Sequence, residues 1–314
     1  MDVLSNVLQV ANLATQGLGS REFLAPWGIK AENPGRATVH VVRRGSCWFS
    51  CRSSEPVRLN AGDVVLLAHG DAHAFSSERD MRNPEPLSLA IARTQGNVVP
   101  SRGMVDPAAE STILQCAGYE LSRDTSHPLL ALLPPVIRIP ADQADSDSEL
   151  QLLLRLLMQE AARRDAGVEL VLPRLIDTLF VYVLRVWLRD QPDGAGGWLG
   201  ALRDPQIRKV LARIHESPQT PWTVESLAGV AAMSRAAFAK RFADMVGEPP
   251  LAYVTRWRMD IAAKMLRESR DPVARIAGRV GYVSETAFAK AFRRRRNIAP
   301  GAYRYQRTAS PVLG

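Results

Sequence analysis

One decapeptide occurs twice in this chain. Met233-Ser234-Arg235-Ala236-Ala237-Phe238-Ala239-Lys240-Arg241-Phe242 returns fifty residues later as Val283-Ser284-Glu285-Thr286-Ala287-Phe288-Ala289-Lys290-Ala291-Phe292, with six of ten positions identical. A repeat constrains the fold more than composition does, because the same residues must bury the same face twice. Phe238 and Phe242 lie at i,i+4, as do Phe288 and Phe292, so each copy is expected to be a short helix with a buried Phe face. Ser234 and Ser284 stand where an N-cap belongs. Facing away from the Phe pair are Ala236, Ala239, Lys240 and Ala243 in one copy. In the other they are Thr286, Ala287, Lys290 and Arg293 or Arg294. Small side chains with one long cation suit a helix pressed against another surface.

A shorter apolar helix precedes each copy. Val224 to Val230 follows the capping residue Thr223, and Val273 to Val280 follows Asp271-Pro272. The turns between are Ala232-Met233 and Gly281-Tyr282-Val283. Helix, tight turn and a second helix opened by Ser is the helix-turn-helix pattern. A long helix joins the two units, from Pro249-Pro250 to about Glu268. Leu251, Val254, Ile261, Met265 and Leu266 form its apolar stripe. Eighteen residues at ~1.5 Å rise span ~27 Å, comparable with the ~34 Å of one DNA turn.

Residues 204 to 305 resemble the DNA-binding domain of the AraC/XylS family of bacterial transcription regulators. The resemblance rests on Trp222-Thr223-Val224, Met233-Ser234, Val246-Gly247-Glu248-Pro249-Pro250, Arg256-Trp257-Arg258-Met259, Ile276-Ala277, Val280-Gly281-Tyr282, Phe288, Phe292 and Ile298-Ala299-Pro300-Gly301-Ala302-Tyr303-Arg304. Arg296-Asn297 departs from the family, which usually has an aromatic-Gly pair there. The resemblance implies that Ala236, Ala239 and Lys240 face bases in one half-site, and Glu285, Thr286, Ala287 and Lys290 in the other. Lys can contact guanine, Ala and the Thr methyl a thymine methyl, and Glu can accept from cytosine N4. Ser234 and Ser284 open the recognition helices, where backbone N–H groups favour a phosphate. Arg235, Arg293 and Arg294 are the neighbouring phosphate contacts.

Upstream, residues 1–13 read as a short helix with Leu4, Val7, Leu8 and Ala11 on one face. The Gly and Pro residues between 17 and 35 suggest turns. Residues 36–100 read as β structure, with strand-like runs at Thr38–Val42, Ser46–Cys51 and Val64–Leu67. Several short strands indicate a sandwich or barrel. The stretch Gly62-x5-Ala68-x-Gly70-x2-His73-x3-Ser77 resembles the second cupin motif, with Ala and Ser where Pro and Asn are typical. A cupin-type sensor domain ahead of the DNA-binding domain is what the family resemblance implies, including Leu129 to Pro135 after the barrel. Cupin enzymes hold a metal with two His and a Glu from the first motif and one His from the second. Here only His40 lies near the first motif, and Thr38 sits near the Glu position. His40 and His73 could meet in a sensor pocket, but two ligands make a poor site, so no metal and no cofactor are expected.

Asp147 to Arg164 and Glu169 to Arg189 read as two helices around Asp165-Ala166-Gly167, an antiparallel hairpin. It packs on the barrel, forms a dimer interface, or does both, with Leu153 and Leu157 as interface candidates. Gln191 to Gly197 is the clearest linker. The expected class is α+β: a cupin-like β-barrel with a helical hairpin over 1–190, a linker over 191–203, and an all-α domain over 204–307. The helix-turn-helix units lie at about 224–243 and 273–294.

Charge supports the division. Of the formal net charge of +8, residues 204–307 hold 20 Lys/Arg and 9 Asp/Glu, which is +11, and the rest holds 20 and 23, which is −3. A basic third beside a faintly acidic remainder implies a polyanion partner for one domain. The start lacks a basic segment and apolar core, and the apolar stretch Glu169 to Leu188 is broken by Arg174, Asp177 and Arg185. A cytoplasmic bacterial protein with no membrane partner is expected. Cys47 and Cys51 would be ~13 Å apart in a strand, too far for a disulfide. Cys116, in the strand-like run Ile113 to Tyr119, is the candidate redox residue. The expected protein is not an enzyme. It is a homodimeric transcription regulator binding double-stranded promoter DNA and a small-molecule effector or stress signal, and RNA polymerase if it activates. The alternatives are a metal-dependent cupin enzyme fused to a DNA-binding domain, an architectural DNA-binding protein, and a redox regulator acting through Cys116.

Overall fold

A computed structural model describes residues 3–11, 14–32, 36–52, 54–94, 97–101, 111–120, 133–141, 149–163, 165–192 and 197–306. The chain divides into two compact units. One holds the described residues between 13 and 121 and between 133 and 191, and the other those between 1 and 12 and from 192 onward.

The first unit is built on two sheets. Strands β1 (Ala14–Leu24), β3 (Arg36–Arg44), β6 (Val64–Leu67), β9 (Val98–Val99), β10 (Ser111–Glu120) and β11 (Val136–Ile139) form one, in the order β11-β6-β3-β10-β1-β9. Strands β2 (Gly28–Ala31), β4 (Ser46–Cys51), β5 (Ser54–Asn60), β7 (His73–Ser76) and β8 (Glu85–Pro86) form the other, in the order β5-β4-β7-β2-β8. Phe23, Val42, Val65, Leu67 and Leu114 meet Ile29, Cys47, Phe49, Leu59 and Phe75 in a shared core. The expected sandwich or barrel takes the form of these two sheets over one core, without closure into a single sheet. Among the described residues no strand of one sheet pairs with a strand of the other, and the edge strands β8 and β9 are two residues long, too short to bridge by a ladder. Of the segment expected as turns, Gly17 and Gly19 lie in β1 and Gly28 in β2, a bend at Ala25-Pro26 separates them, and Pro34 and Gly35 lie outside the described residues. β10 supplies partners along β1, and an irregularity between Thr15 and Leu18 takes up the misfit.

The helical hairpin is present as α3 (Glu149–Ala162) and α4 (Val168–Arg189), after a short helix α2 (Leu87–Ala92). Leu150, Leu153, Leu154 and Leu157 are buried, as are Ile176, Leu179, Phe180, Val183 and Leu184. The Tyr119 hydroxyl donates to the Ile176 carbonyl at 2.6 Å, tying β10 to α4. Leu153 and Leu157 therefore belong to the core and cannot be interface residues. The exposed apolar side chains of the hairpin are Leu152, Leu156, Leu170 and Val171. Leu129 to Leu132 lie outside the described residues.

The second unit is helical: α1 (Val3–Ala11), α5 (Gly197–Arg203), α6 (Pro205–Glu216), α7 (Val224–Val230), α8 (Arg235–Val246), α9 (Pro250–Glu268), α10 (Val273–Arg279), α11 (Glu285–Arg296) and α12 (Pro300–Gln306). Two sequence expectations change here. Helix α1 is grouped with this unit rather than with residues 13–190, because Val3, Val7 and Val10 join the core of Ile207, Val210 and Leu211. Of the face expected from the sequence, Val7 is buried in this core and Leu4 packs against it, with Val3 and Val10 alongside. Most of the second half of the supposed linker is helix α5, held by buried Trp198 and Ala201 in the same core.

Helix α9 joins two apolar cores. Its first half gives Tyr253, Val254 and Trp257 to the core around Phe238 and Phe242. Its second half gives Met259, Ala262, Ala263 and Leu266 to the core around Phe288 and Phe292. Of the apolar stripe expected from the sequence, Val254 and Leu266 are buried, Ile261 and Met265 pack against the cores, and Leu251 is exposed.

Candidate nucleic-acid interface and sensor interior

The two halves of the helical unit are built alike. Thr223 caps α7 in a reciprocal capping box with Ser226. After α7 the chain turns through Ala232 at φ 53° and enters α8 at Ser234, whose side chain accepts from the Ala237 N–H at 3.3 Å. After α10 it turns through Gly281 at φ 85° and enters α11 at Ser284, which accepts from the Ala287 N–H at 3.3 Å. Met233 N–H bonds to Ala228 O and Tyr282 N–H to Ala277 O, so these residues correspond. Val283 is then one additional residue in the second turn, and it is fully exposed. Gly281 is required in that turn: a Cβ there would meet Gln219 backbone atoms at 2.7 and 2.8 Å.

The Phe pairs of both copies are completely buried, as their spacing predicts. Arg235, Ala236, Lys240, Glu285, Thr286, Ala287, Lys290, Arg293 and Arg294 are exposed, as are the caps Ser234 and Ser284, while Ala239 is half-buried. Each helix thus carries an exposed strip of small side chains with one Lys, opposite its Phe pair.

Two cations of the repeat helices are paired with carboxylates. Arg241 pairs with Asp204, the cap of α6, which also accepts from the Gln206 and Ile207 N–H groups at 2.9 Å. Burial works against this charge, but the Ile207 N–H and Arg241 outweigh it and hold the carboxyl below the usual range. Arg296, the last of the four consecutive arginines, is buried and bonds to Asp260 at 2.6 Å. His215 is also buried, with Nε2 2.6 Å from the Tyr253 hydroxyl and its ring stacked on Trp257. The sequence gives Arg296 only as one of four consecutive arginines suited to phosphate and as a departure from the family pattern, and nothing local marks His215.

In the first unit, His40 and His73 do meet, with ring centroids 5.0 Å apart. His40 Nδ1 lies 2.9 Å from Cys116 Sγ, across the β3–β10 ladder in which the two residues are paired. His73 Nδ1 donates to the Asp71 carbonyl at 2.8 Å. The Nε2 atoms of both histidines are buried with no hydrogen-bond partner among the described residues. Burial, with the His73 charge secondary, keeps His40 well below its ordinary pKa, and burial lowers His73 as well, against the upward pull of the Asp71 carbonyl bond and charge. These residues do not fit a cupin metal centre, because two imidazoles fall short of three ligands. Among the described residues no group of three or more His, Cys, Asp or Glu side chains is placed to hold a metal ion. Burial pushes the Cys116 thiol up to about 12, and Cys47 likewise. Both are protonated thiols at neutral pH, whereas oxidant sensing needs an accessible thiolate.

Comparison with known proteins adds to this geometry. A cupin family model matches residues 2–189 and a helix-turn-helix domain model matches residues 227–306. A putative AraC-like transcription regulator of Streptomyces lividans is 32% identical over 97% of this chain and 98% of its own length. The RCS-specific HTH-type transcriptional activator RclR of Escherichia coli is 31% identical over 97% of each chain. The HTH-type transcriptional regulator AlkR of Acinetobacter baylyi is 29% identical over 98% of this chain and all of its own. Among the described residues no helix is long and apolar enough to cross a membrane.

Proposed function

The chain belongs to the AraC-like family of transcription regulators, with a cupin N-terminal domain and a helix-turn-helix DNA-binding domain, and from that premise we propose that both of its helix pairs contact promoter DNA. The observation that carries this reading is the matched pair of exposed strips on α8 and α11, each backed by a fully buried Phe pair. A helix whose exposed strip is mostly small side chains around one Lys can approach base edges closely. Ala236, Ala239 and Lys240 read one half-site, and Glu285, Thr286, Ala287 and Lys290 the other. Ser234, Arg235, Ser284, Arg293 and Arg294 hold phosphates at the helix ends.

The N-terminal domain senses a small molecule. Its support is a core that combines apolar walls with two neutral histidines whose Nε2 atoms lack partners. The redox alternative loses ground to the raised pKa of the half-buried Cys116 thiol, which holds it protonated at neutral pH. Two copies associate through the exposed Leu152 and Leu156 of α3, which lie at i,i+4 and form one apolar strip. The dimer acts in the cytoplasm, and on RNA polymerase where it activates. An effector-dependent change in DNA affinity separates this reading from an architectural protein.

The direct test uses a duplex selected from a random-sequence pool by the wild-type protein. Lys240→Ala is expected to cost ~1–3 kcal/mol on that duplex and to relax one position of the site. An equal loss on every duplex makes Lys240 a phosphate contact and removes the base-reading assignment.

A further inference from the structure

A chain of ion pairs crosses the helical unit from one candidate recognition helix to the other. Glu248 follows Gly247, the C-cap of α8. Arg256 on α9 donates from Nε to Glu248 Oε1 at 2.7 Å and from a terminal nitrogen to Asp260 Oδ2 at 3.3 Å. Asp260, one turn further along α9, accepts on its other oxygen from Arg296 at 2.6 Å. Arg296 is the last residue of α11. The side chains of Arg256, Asp260 and Arg296 are 4%, 1% and 5% exposed, and Glu248 is 23% exposed. The Arg256 guanidinium also lies over the Tyr253 ring, 4.7 Å from its centroid.

The two apolar cores cannot by themselves fix the angle between α8 and α11. Hydrophobic burial is non-directional, and the Phe cores are separate clusters built on opposite halves of helix α9, with Gly281 of the second half also closing on Gln219 of the first. Guanidinium–carboxylate pairs are directional, because a planar fork meets two oxygens in one orientation. Buried pairs of this kind contribute little net stability, and their best-attested use is to set register. Arg296 also stands outside the exposed arginines beside it, so its charge is not offered to a phosphate.

We propose that Arg256, Asp260 and Arg296 are positioning residues that lock the pose of α11 relative to α8, and so select the spacing between the two operator half-sites. This rests on the reading that both helices enter DNA. Moving one half-site by a base pair shifts it ~3.4 Å along the duplex axis and rotates it ~34°. A clamped pair of helices must reject that shift, and a loosened pair accepts it.

The test uses the full chain and the selected duplex, with two derivatives carrying one base pair inserted or deleted between the half-sites. Wild type is expected to bind the parent about tenfold tighter than either derivative. Arg296→Met should bring that ratio below about threefold, and Arg296→Lys should restore part of it. Arg293→Met is the control: it should weaken all three duplexes equally, leave the ratio unchanged and reduce the salt dependence. Because Arg296→Met strands the Asp260 charge, Asp260→Leu with Arg296→Leu removes the link without an unpaired ion. The proposal is overturned if this double variant, folded by circular dichroism, keeps the wild-type ratio. It is also overturned if both variants unfold, which makes the network a stability element. An equal loss on all three duplexes by Arg296→Met identifies a phosphate contact instead. Absence of any spacing preference in wild type sinks the two-helix reading and this one together, whereas failure of the variants alone sinks only the clamp.

Discussion

Lowering the pH from 7 to 5 should remove about 2 kcal/mol of stability from the helical unit through His215 alone. The ring is buried against Trp257, 3.8 Å between centroids, and its Nε2 is held by the Tyr253 hydroxyl. Burial first, and the Arg256 charge second, press its pKa down to about 3. In the unfolded chain an imidazole titrates near ~6.5. Between those values the unfolded state binds a proton that the native state refuses. Stability is therefore complete above ~6.5 and falls as the pH drops below it. At pH 5 the unfolded group lies about 1.5 units below its own pKa, and ~1.36 kcal/mol per unit gives the figure above. A folded value of about 4 would change it by less than ~0.1 kcal/mol, because the native ring would still be mostly neutral at pH 5. The comparison is His215→Phe, which keeps a ring against Trp257 and loses only the hydrogen bond, for about 1 kcal/mol at pH 7. Urea unfolding at both pH values, with hydrogen exchange on α6 and α9 amides to place the loss in this unit, measures the difference. His40 and His73 contribute equally to both proteins and cancel. If wild type and the Phe variant lose the same stability between pH 7 and 5, His215 is not the neutral buried group described above.

Charge removal at the exposed Arg294 should lower the slope of log affinity against log salt by ~1 and leave sequence preference intact; an unchanged slope would show a merely solvated side chain. Leu152→Asp with Leu156→Asp should give a folded monomer by light scattering, whereas Leu153→Asp, in the core, should unfold the first unit by placing an unpaired charge there. A folded dimer after the first pair of changes would rule out the α3 strip as the interface. Cys116→Ala should leave promoter output with and without oxidant as in wild type, since the half-buried thiol is held protonated; loss of an oxidant response would reinstate it as a sensor.

The helical unit was legible in the sequence to the level of single faces. Phe238, Phe242, Phe288 and Phe292 are buried where i,i+4 spacing puts them, and Ser234 and Ser284 cap the helices they precede. Such features depend on residues within one or two turns, and a repeat states them twice. The short strands around Val41 and Val65 and the α3–α4 hairpin were readable for the same reason, since period and turn residues are local signals. Exposure of Lys240 and Lys290 followed from the burial of the Phe face beside them.

What the chain order could not reveal are the meetings between distant residues. His40 and Cys116 are 76 positions apart, and only the pairing of β3 with β10 brings them within 2.9 Å. Asp260 and Arg296 are 36 apart, and a run of four arginines gives no sign that the last one turns inward. Helix α1 has an apolar stripe that fits many surfaces, and packing chose the one beside Ile207. Whether strands close into a barrel depends on edge pairing, which alternation along a single strand does not encode. Local periodicity determined which faces of this protein are buried. Tertiary contact decided what each buried face meets, because non-directional apolar burial leaves the partner open until the whole chain has packed.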